Sequence, residues 1–226
     1  DLGMIGPHFS RVELSPDDRR ILIAGQGDPE IVDASTGRSI AKAYRPPSLD
    51  GSSDILAMAW SPDSKQVAMS SGWRPETWIC DAEDGTLVRT LVGHDDPVST
   101  VDFSSDGARI VTASGDGTVK LWHAASGRML ASIDLEVVPS GAWFLPGDAS
   151  IAVASAGRVD LFTATTDGLV ATVPGRAPAY AFDGSRLAAV DGNLVRVADG
   201  RTGAPLHVLA GHTGPVTATR FEPRGR

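Results

Sequence analysis

The stretch from Gly93 to Trp122, GHDDPVSTVDFSSDGARIVTASGDGTVKLW, decides the fold. Val98, Val101 and Phe103 mark one apolar strand, and Ser104-Ser105-Asp106-Gly107 turns the chain with residues suited to tight turns. Arg109 to Ser114 reads as a second strand. Gly115-Asp116-Gly117 turns the chain again, and Thr118 to Trp122 is a third strand, rich in β-branched and aromatic residues. Beyond Ser126-Gly127, Arg128 to Ile133 supplies a fourth. Four short strands and three turns make one structural unit.

Working outward, the unit recurs. Small-polar and glycine pairs close the third strand at Thr36-Gly37, Asp84-Gly85, Ser126-Gly127, Asp167-Gly168 and Thr202-Gly203. Their spacing of roughly 35 to 48 residues brackets the roughly 40 to 45 of a four-stranded blade. The first turn reappears as Ser15-Pro16-Asp17, Ser61-Pro62-Asp63, Pro146-Gly147-Asp148 and Asp183-Gly184. Proline there has a fixed φ and no N–H for a ladder, which keeps it outside the strands. No stretch shows sustained helical spacing of apolar positions.

The Gly93 to Trp122 stretch resembles the WD-repeat signature, and Gly211-His212 to Phe221-Glu222-Pro223 resembles the opening of another copy. The strand pattern extends over the whole chain, but the polar signature is complete only in the third repeat. At the position of Trp122 the other repeats carry Val32, Cys80, Phe162 and Ala198. The resemblance implies an all-β propeller of four-stranded antiparallel blades. Residues 1–226 then form a single propeller segment of five repeats and the start of a sixth, with Val216 to Phe221 as that blade's first strand. The strand count predicts a chain that continues past Arg226 and precedes Asp1 until about seven blades close a ring.

Composition narrows the function. Net charge is −8, and no Lys/Arg cluster could follow a phosphate backbone, so nucleic acid is not an expected partner. The longest apolar runs, such as Ile151 to Ala156, are strand-sized, far short of the roughly 20 residues that span a bilayer. A single cysteine, Cys80, rules out an internal disulfide and fits a reducing cytoplasm. The Ala, Gly, Asp and Arg bias resembles proteins of GC-rich bacterial genomes.

The WD resemblance assigns His94, Thr112, Asp116 and Trp122 to a hydrogen-bonded tetrad within one blade, a structural role. A competing reading makes His94 and Asp116 a catalytic dyad beside a Thr112 nucleophile; the repeat spacing favours the first. His8, His123 and His207 are scattered and no paired Cys or HxxxH spacing appears, so no metal is expected. Phosphate-loop and nucleophile-elbow motifs are missing as well, and no cofactor is expected. The positions taken as channel-mouth starts of first strands, Ile5, Gly51, Leu135 and Val173, offer no acid or base.

Propellers of this family usually bind on the face made by the second-to-third-strand loops and the connections between blades. Here that face holds Asp95, Asp96 and the loop Gly72-Trp73-Arg74-Pro75-Glu76. Trp and Arg are enriched in interface hot spots, which marks Trp73, Arg74 and Glu76 as contact candidates. The alternative has Trp73 folded over the next blade and Arg74 paired with Glu76. Trp60 is expected in the core, and Trp78 and Trp143 between blades. The expected function is a protein-interaction scaffold or ligand-sensing propeller for a protein or peptide, including another domain of the same polypeptide in signal transduction. An enzymatic propeller and a structural subunit of a larger assembly remain the alternatives.

Overall fold

The computed structural model describes residues 9–25, 27–46, 55–164, 169–181 and 185–221. They form five four-stranded antiparallel sheets, each built from consecutive strands that pair only with their chain neighbours. Blade one is Phe9–Leu14, Arg20–Gly25, Glu30–Asp33 and Ser39–Lys42 (β1 to β4). Blade two is Ile55–Trp60, Gln66–Ser71, Arg74–Asp81 and Leu87–Leu91 (β5 to β8). Blade three is Val98–Phe103, Arg109–Ser114, Thr118–His123 and Met129–Asp134 (β9 to β12). Blade four is Gly141–Phe144, Ser150–Ser155, Arg158–Thr163 and Leu169–Pro174 (β13 to β16). Blade five is Arg176–Tyr180, Arg186–Asp191, Leu194–Asp199 and Pro205–Leu209 (β17 to β20). The all-β propeller expected from the repeat is the fold observed.

The apolar pattern along each strand follows from its place in the stack. The second strands β6, β10 and β14 are buried along nearly their whole length, because a neighbouring blade covers each face. Fourth strands at the rim begin exposed, as at Leu87 and Met129. The core is therefore not inside any one sheet. One cluster joins Leu22 and Ile31 of blade one to Trp60 and Met69 of blade two. Another joins Ile79 of blade two to Phe103 and Trp122 of blade three, a third joins Val111 to Ile151 and Phe162, and a fourth joins Leu161 to Leu187. Trp60 lies in this core as expected, Trp78 is buried, and Trp143 is half-buried.

Two turn devices repeat. After the first strand, the Ser15, Ser61 and Ser104 hydroxyls donate to Asp17, Asp63 and Asp106 at 2.6, 2.7 and 2.6 Å. The same hydroxyl oxygens accept the N–H of Arg20, Gln66 and Arg109. After the third strand, Asp33, Asp81 and Asp199 accept backbone N–H groups of the following turn, and the glycines Gly37, Gly85 and Gly203 close it with φ of 67°, 76° and 69°. The turn pairs Asp167-Gly168 and Asp183-Gly184 lie outside the described residues.

Three sequence expectations need correction. Arg74, Pro75 and Glu76 are not loop residues: β7 already begins at Arg74, leaving Gly72 and Trp73 as the turn. Residues 216–221 do not form a strand. They hang from the β18–β19 turn by Val216 N–H to Gly192 O at 2.9 Å and Asn193 Nδ2 to His212 O at 3.0 Å. A first strand takes its ladder from a second, and none follows it among the described residues. Val173 does not open a first strand but lies buried in β16, and Leu135 follows β12 well before β13. The described first strands of blades two, three and four open at Ile55, Val98 and Gly141; Ile5 and Gly51 lie outside the described residues.

Candidate functional site

In the third blade the ladder sets Thr112 opposite Lys120 and Ile110 opposite Trp122, with Thr112 also opposite Val101. This stacks Thr112 and Trp122 on the side of the sheet that faces blade two. Gly93 carries φ of 152°, and a Cβ there would come 3.2 Å from the Trp122 ring, so glycine lets the chain cross the indole edge and deliver His94 behind it. The four side chains then meet. His94 Nδ1 lies 2.8 Å from Asp116 Oδ2, His94 Nε2 lies 2.8 Å from Thr112 Oγ1, and Trp122 Nε1 donates to Thr112 Oγ1 at 2.8 Å. The His94 and Trp122 rings meet edge to face with centroids 6.1 Å apart.

The protons in this chain can be assigned from the donors available. Trp122 Nε1–H can only donate, so the Thr112 oxygen accepts from it. The Thr112 O–H then donates to His94 Nε2, and the Nδ1–H donates to Asp116. Every capacity of the Thr112 hydroxyl toward these neighbours is used, and the residue is fully buried. Burial holds His94 below its usual pKa despite the opposing pull of Asp116, which keeps the imidazole neutral. Burial works to raise the Asp116 pKa, but bonds from Thr118, the Asp95 N–H and His94 outweigh it and hold the carboxyl well below its ordinary range. Thr118 was not foreseen. Its hydroxyl donates to Asp116 Oδ1 at 2.7 Å, and its place two residues after the aspartate was the available signal.

The loop candidates sit at the same end of the blades. Trp73 is 73% exposed and does not fold over the neighbouring blade. The hairpin there is irregular: Ser70 pairs with Thr77 but Ser71 pairs with Arg74, so Pro75 and Glu76 bulge from the ladder and Trp73 stands outward in the two-residue turn. Arg74 Nη1 lies 3.9 Å from Glu76 Oε1, the pairing weighed in the sequence. Across the strand pair, Thr77 faces Leu91, and the connection beyond Leu91 exposes Val92, Asp95 and Asp96. The tetrad carboxylate anchors this connection through the Asp95 N–H at 3.0 Å.

Two buried carboxyls also escaped sequence reading. Glu13 on β1 and Asp102 on β9 occupy the same strand position, where blades two and four carry Ala59 and Trp143. Burial pushes Glu13 up to about 7 and Asp102 up to about 6, and the nearby Asp102 carboxylate raises Glu13 further. Asp102 accepts the Phe144 N–H at 2.9 Å and so bridges to blade four. Among the described residues, no group of three or more His, Cys, Asp or Glu side chains could hold a metal ion.

Stacked four-stranded blades with a His-Thr-Asp-Trp network define a β-propeller protein of the repeat type. The model of the WD domain, G-beta repeat, matches residues 85–123, which end one residue past the tetrad tryptophan. Protein groucho of Drosophila melanogaster is similar: it is 31% identical over 148 residues, covering 62% of this chain and 20% of the relative. The chain thus spans about a fifth of the length of that curated relative. Residues 85–123 thus match a WD repeat, set within a chain folded as five four-stranded propeller blades.

Proposed function

We propose that this protein is a protein-interaction scaffold that binds a protein or peptide on the loop face carrying Trp73, and that it is not an enzyme. The observation that carries the reading is Trp73 itself. A two-residue turn beside a bulge holds a large aromatic side chain out to solvent at the rim of a rigid blade, where exposure would be wasteful without a partner. Val92, 70% exposed, adds apolar area at the same end, and Asp95 and Asp96 supply polar contacts around it. The match of residues 85–123 to a WD repeat supports a scaffold in general. Against catalysis stands the saturation of the nucleophile, base and acid arrangement weighed in the sequence: Thr112, His94 and Asp116 spend their hydrogen bonds on one another, on Trp122 and Thr118, and on the Asp95 N–H.

The test is a selection of peptides from a displayed library on the folded protein, followed by mapping of the bound peptide through amide exchange. Trp73→Ala should weaken the selected peptides by about 30-fold, the scale of a hot-spot residue, and leave the melting temperature unchanged. Peptides that protect other surfaces, or whose affinity ignores Trp73→Ala, would remove this loop face from the function.

A further inference from the structure

The opposite rim of the molecule carries a different device, formed where the turns between first and second strands meet those of the next blade. Arg20, at the start of β2, reaches across to blade two. Its Nη1 donates to Ala82 O at 3.1 Å and its Nη2 to Ser64 O at 2.5 Å. The same guanidinium lies 3.6 Å from Asp17 of its own turn and 5.6 Å from the centre of the Trp60 ring. Arg109, at the start of β10, repeats this toward blade four. It donates to Ala164 O at 2.9 Å and Asp148 O at 2.8 Å, with its guanidinium 5.3 Å from the centre of the Phe144 ring.

Between blades two and three the acceptors exist without that arginine. The position is Gln66, and the counterparts of the other groups are Asp63, Gly107 O, Ala124 O and Phe103. A cleft opens there, lined among others by Asp63, Gln66, Arg89, Asp106, Gly107 and Ala124. Arg89, arriving from β8, satisfies Ala124 O alone. No donor reaches Gly107 O among the described residues. Asp63 and Asp106 each use Oδ1 for the turn, accepting from Ser61 and the Lys65 N–H and from Ser104 and the Ala108 N–H, and Oδ2 takes no bond in either.

We propose that this cleft between blades two and three is a binding site for an arginine side chain supplied by a partner polypeptide. The protein shows the fit itself, because the two adjoining joints each hold a guanidinium against two backbone carbonyls and an aromatic ring, with Asp17 adding a carboxylate in the first. A planar fork can bridge Asp63 and the Gly107 carbonyl at once, which the point charge of a lysine cannot do equally well. Three carboxylates line the cleft, from Asp63, Asp81 and Asp106, against the two cations Lys65 and Arg89, so the local balance favours an incoming cation. This site lies on the rim away from Trp73 and does not depend on the loop-face reading.

The experiment titrates the protein with N-acetyl-arginine methylamide and, separately, with the lysine counterpart, following backbone amide shifts of Gly107, Ala124 and Ala125. The arginine probe should move these amides in a saturable way and the lysine probe should bind several-fold more weakly. Gln66→Arg places an internal guanidinium where Arg20 and Arg109 already sit, and should weaken the probe at least about tenfold. Asp63→Asn keeps the turn's Oδ1 and should also weaken the probe, which serves if the first variant fails to fold. Absence of binding, equal binding of both probes, or binding that persists in both variants overturns the proposal. Trp73→Ala should leave these shifts unchanged, so the two surfaces fail or hold separately.

Discussion

Thr112 has one hydroxyl and two partners that both need it, Trp122 Nε1–H and His94 Nε2. Thr112→Val keeps the shape and strands both, so it should cost about 1–3 kcal/mol in thermal or denaturant unfolding, whereas Thr112→Ser should lose much less. Trp122→Ala removes an almost fully buried indole and should cost about 3–5 kcal/mol. A catalytic reading of the same residues requires an activity lost in Thr112→Val without a change in melting; equal loss of stability and no turnover in either protein supports the structural role. Cys80, at the position equivalent to Trp122 in the second blade, is fully buried, and burial pushes its thiol up to about 12. Iodoacetamide at pH 8 should leave it unlabelled in the native protein and label it on unfolding; rapid native labelling would contradict this packing.

At the scale of the element, turns carry the repeat. Ser104→Ala deletes a hydroxyl that donates to Asp106 and accepts from the Arg109 N–H, and should cost about 1 kcal/mol by urea unfolding. The fold should survive, because blade four turns at the same place with Leu145 and backbone bonds alone. Gly85 is less forgiving. It holds φ of 76° and a Cβ would run into the Lys42 carbonyl of the preceding blade, so Gly85→Ala should cost more than about 1 kcal/mol. These turns were legible in the sequence because serine, aspartate and glycine each have one local reason to be there. The same is true of the alignment that put Val32, Cys80, Phe162 and Ala198 level with Trp122: each lies opposite the first apolar residue of its second strand. Less legible was the start of β7, where two extra residues, Pro75 and Glu76, set Arg74 opposite Ser71 in the ladder. A bulge of one or two residues leaves no mark in composition or period.

For the whole molecule, the decisive fact is that each core lies between blades. Glu13 and Asp102 show how this defeats sequence reading, since an inward carboxyl on a first strand looks like any polar alternate until the next blade covers it. A carboxyl whose folded pKa is raised holds a proton that the unfolded chain has released. Glu13, facing Arg11 and Asp102, therefore contributes stability that is full below about pH 4.5 and is lost as pH rises through about 7. Asp102, facing Asp148 as well, follows between its ordinary value of 3.8 and about 6. Melting temperature against pH should fall over this range, and Glu13→Gln should flatten the fall; an unchanged slope would place the Glu13 carboxylate in water. Burial shared between neighbours also sets a timetable for synthesis. A ribosome adds roughly 5–20 residues per second, and a blade needs roughly 40–45, so each newly made blade waits about 2–9 seconds for the next one to cover its apolar face. During every such pause the nascent chain shows the cell a bare sheet, and its yield in vivo should follow the supply of factors that shield apolar surface at the tunnel exit.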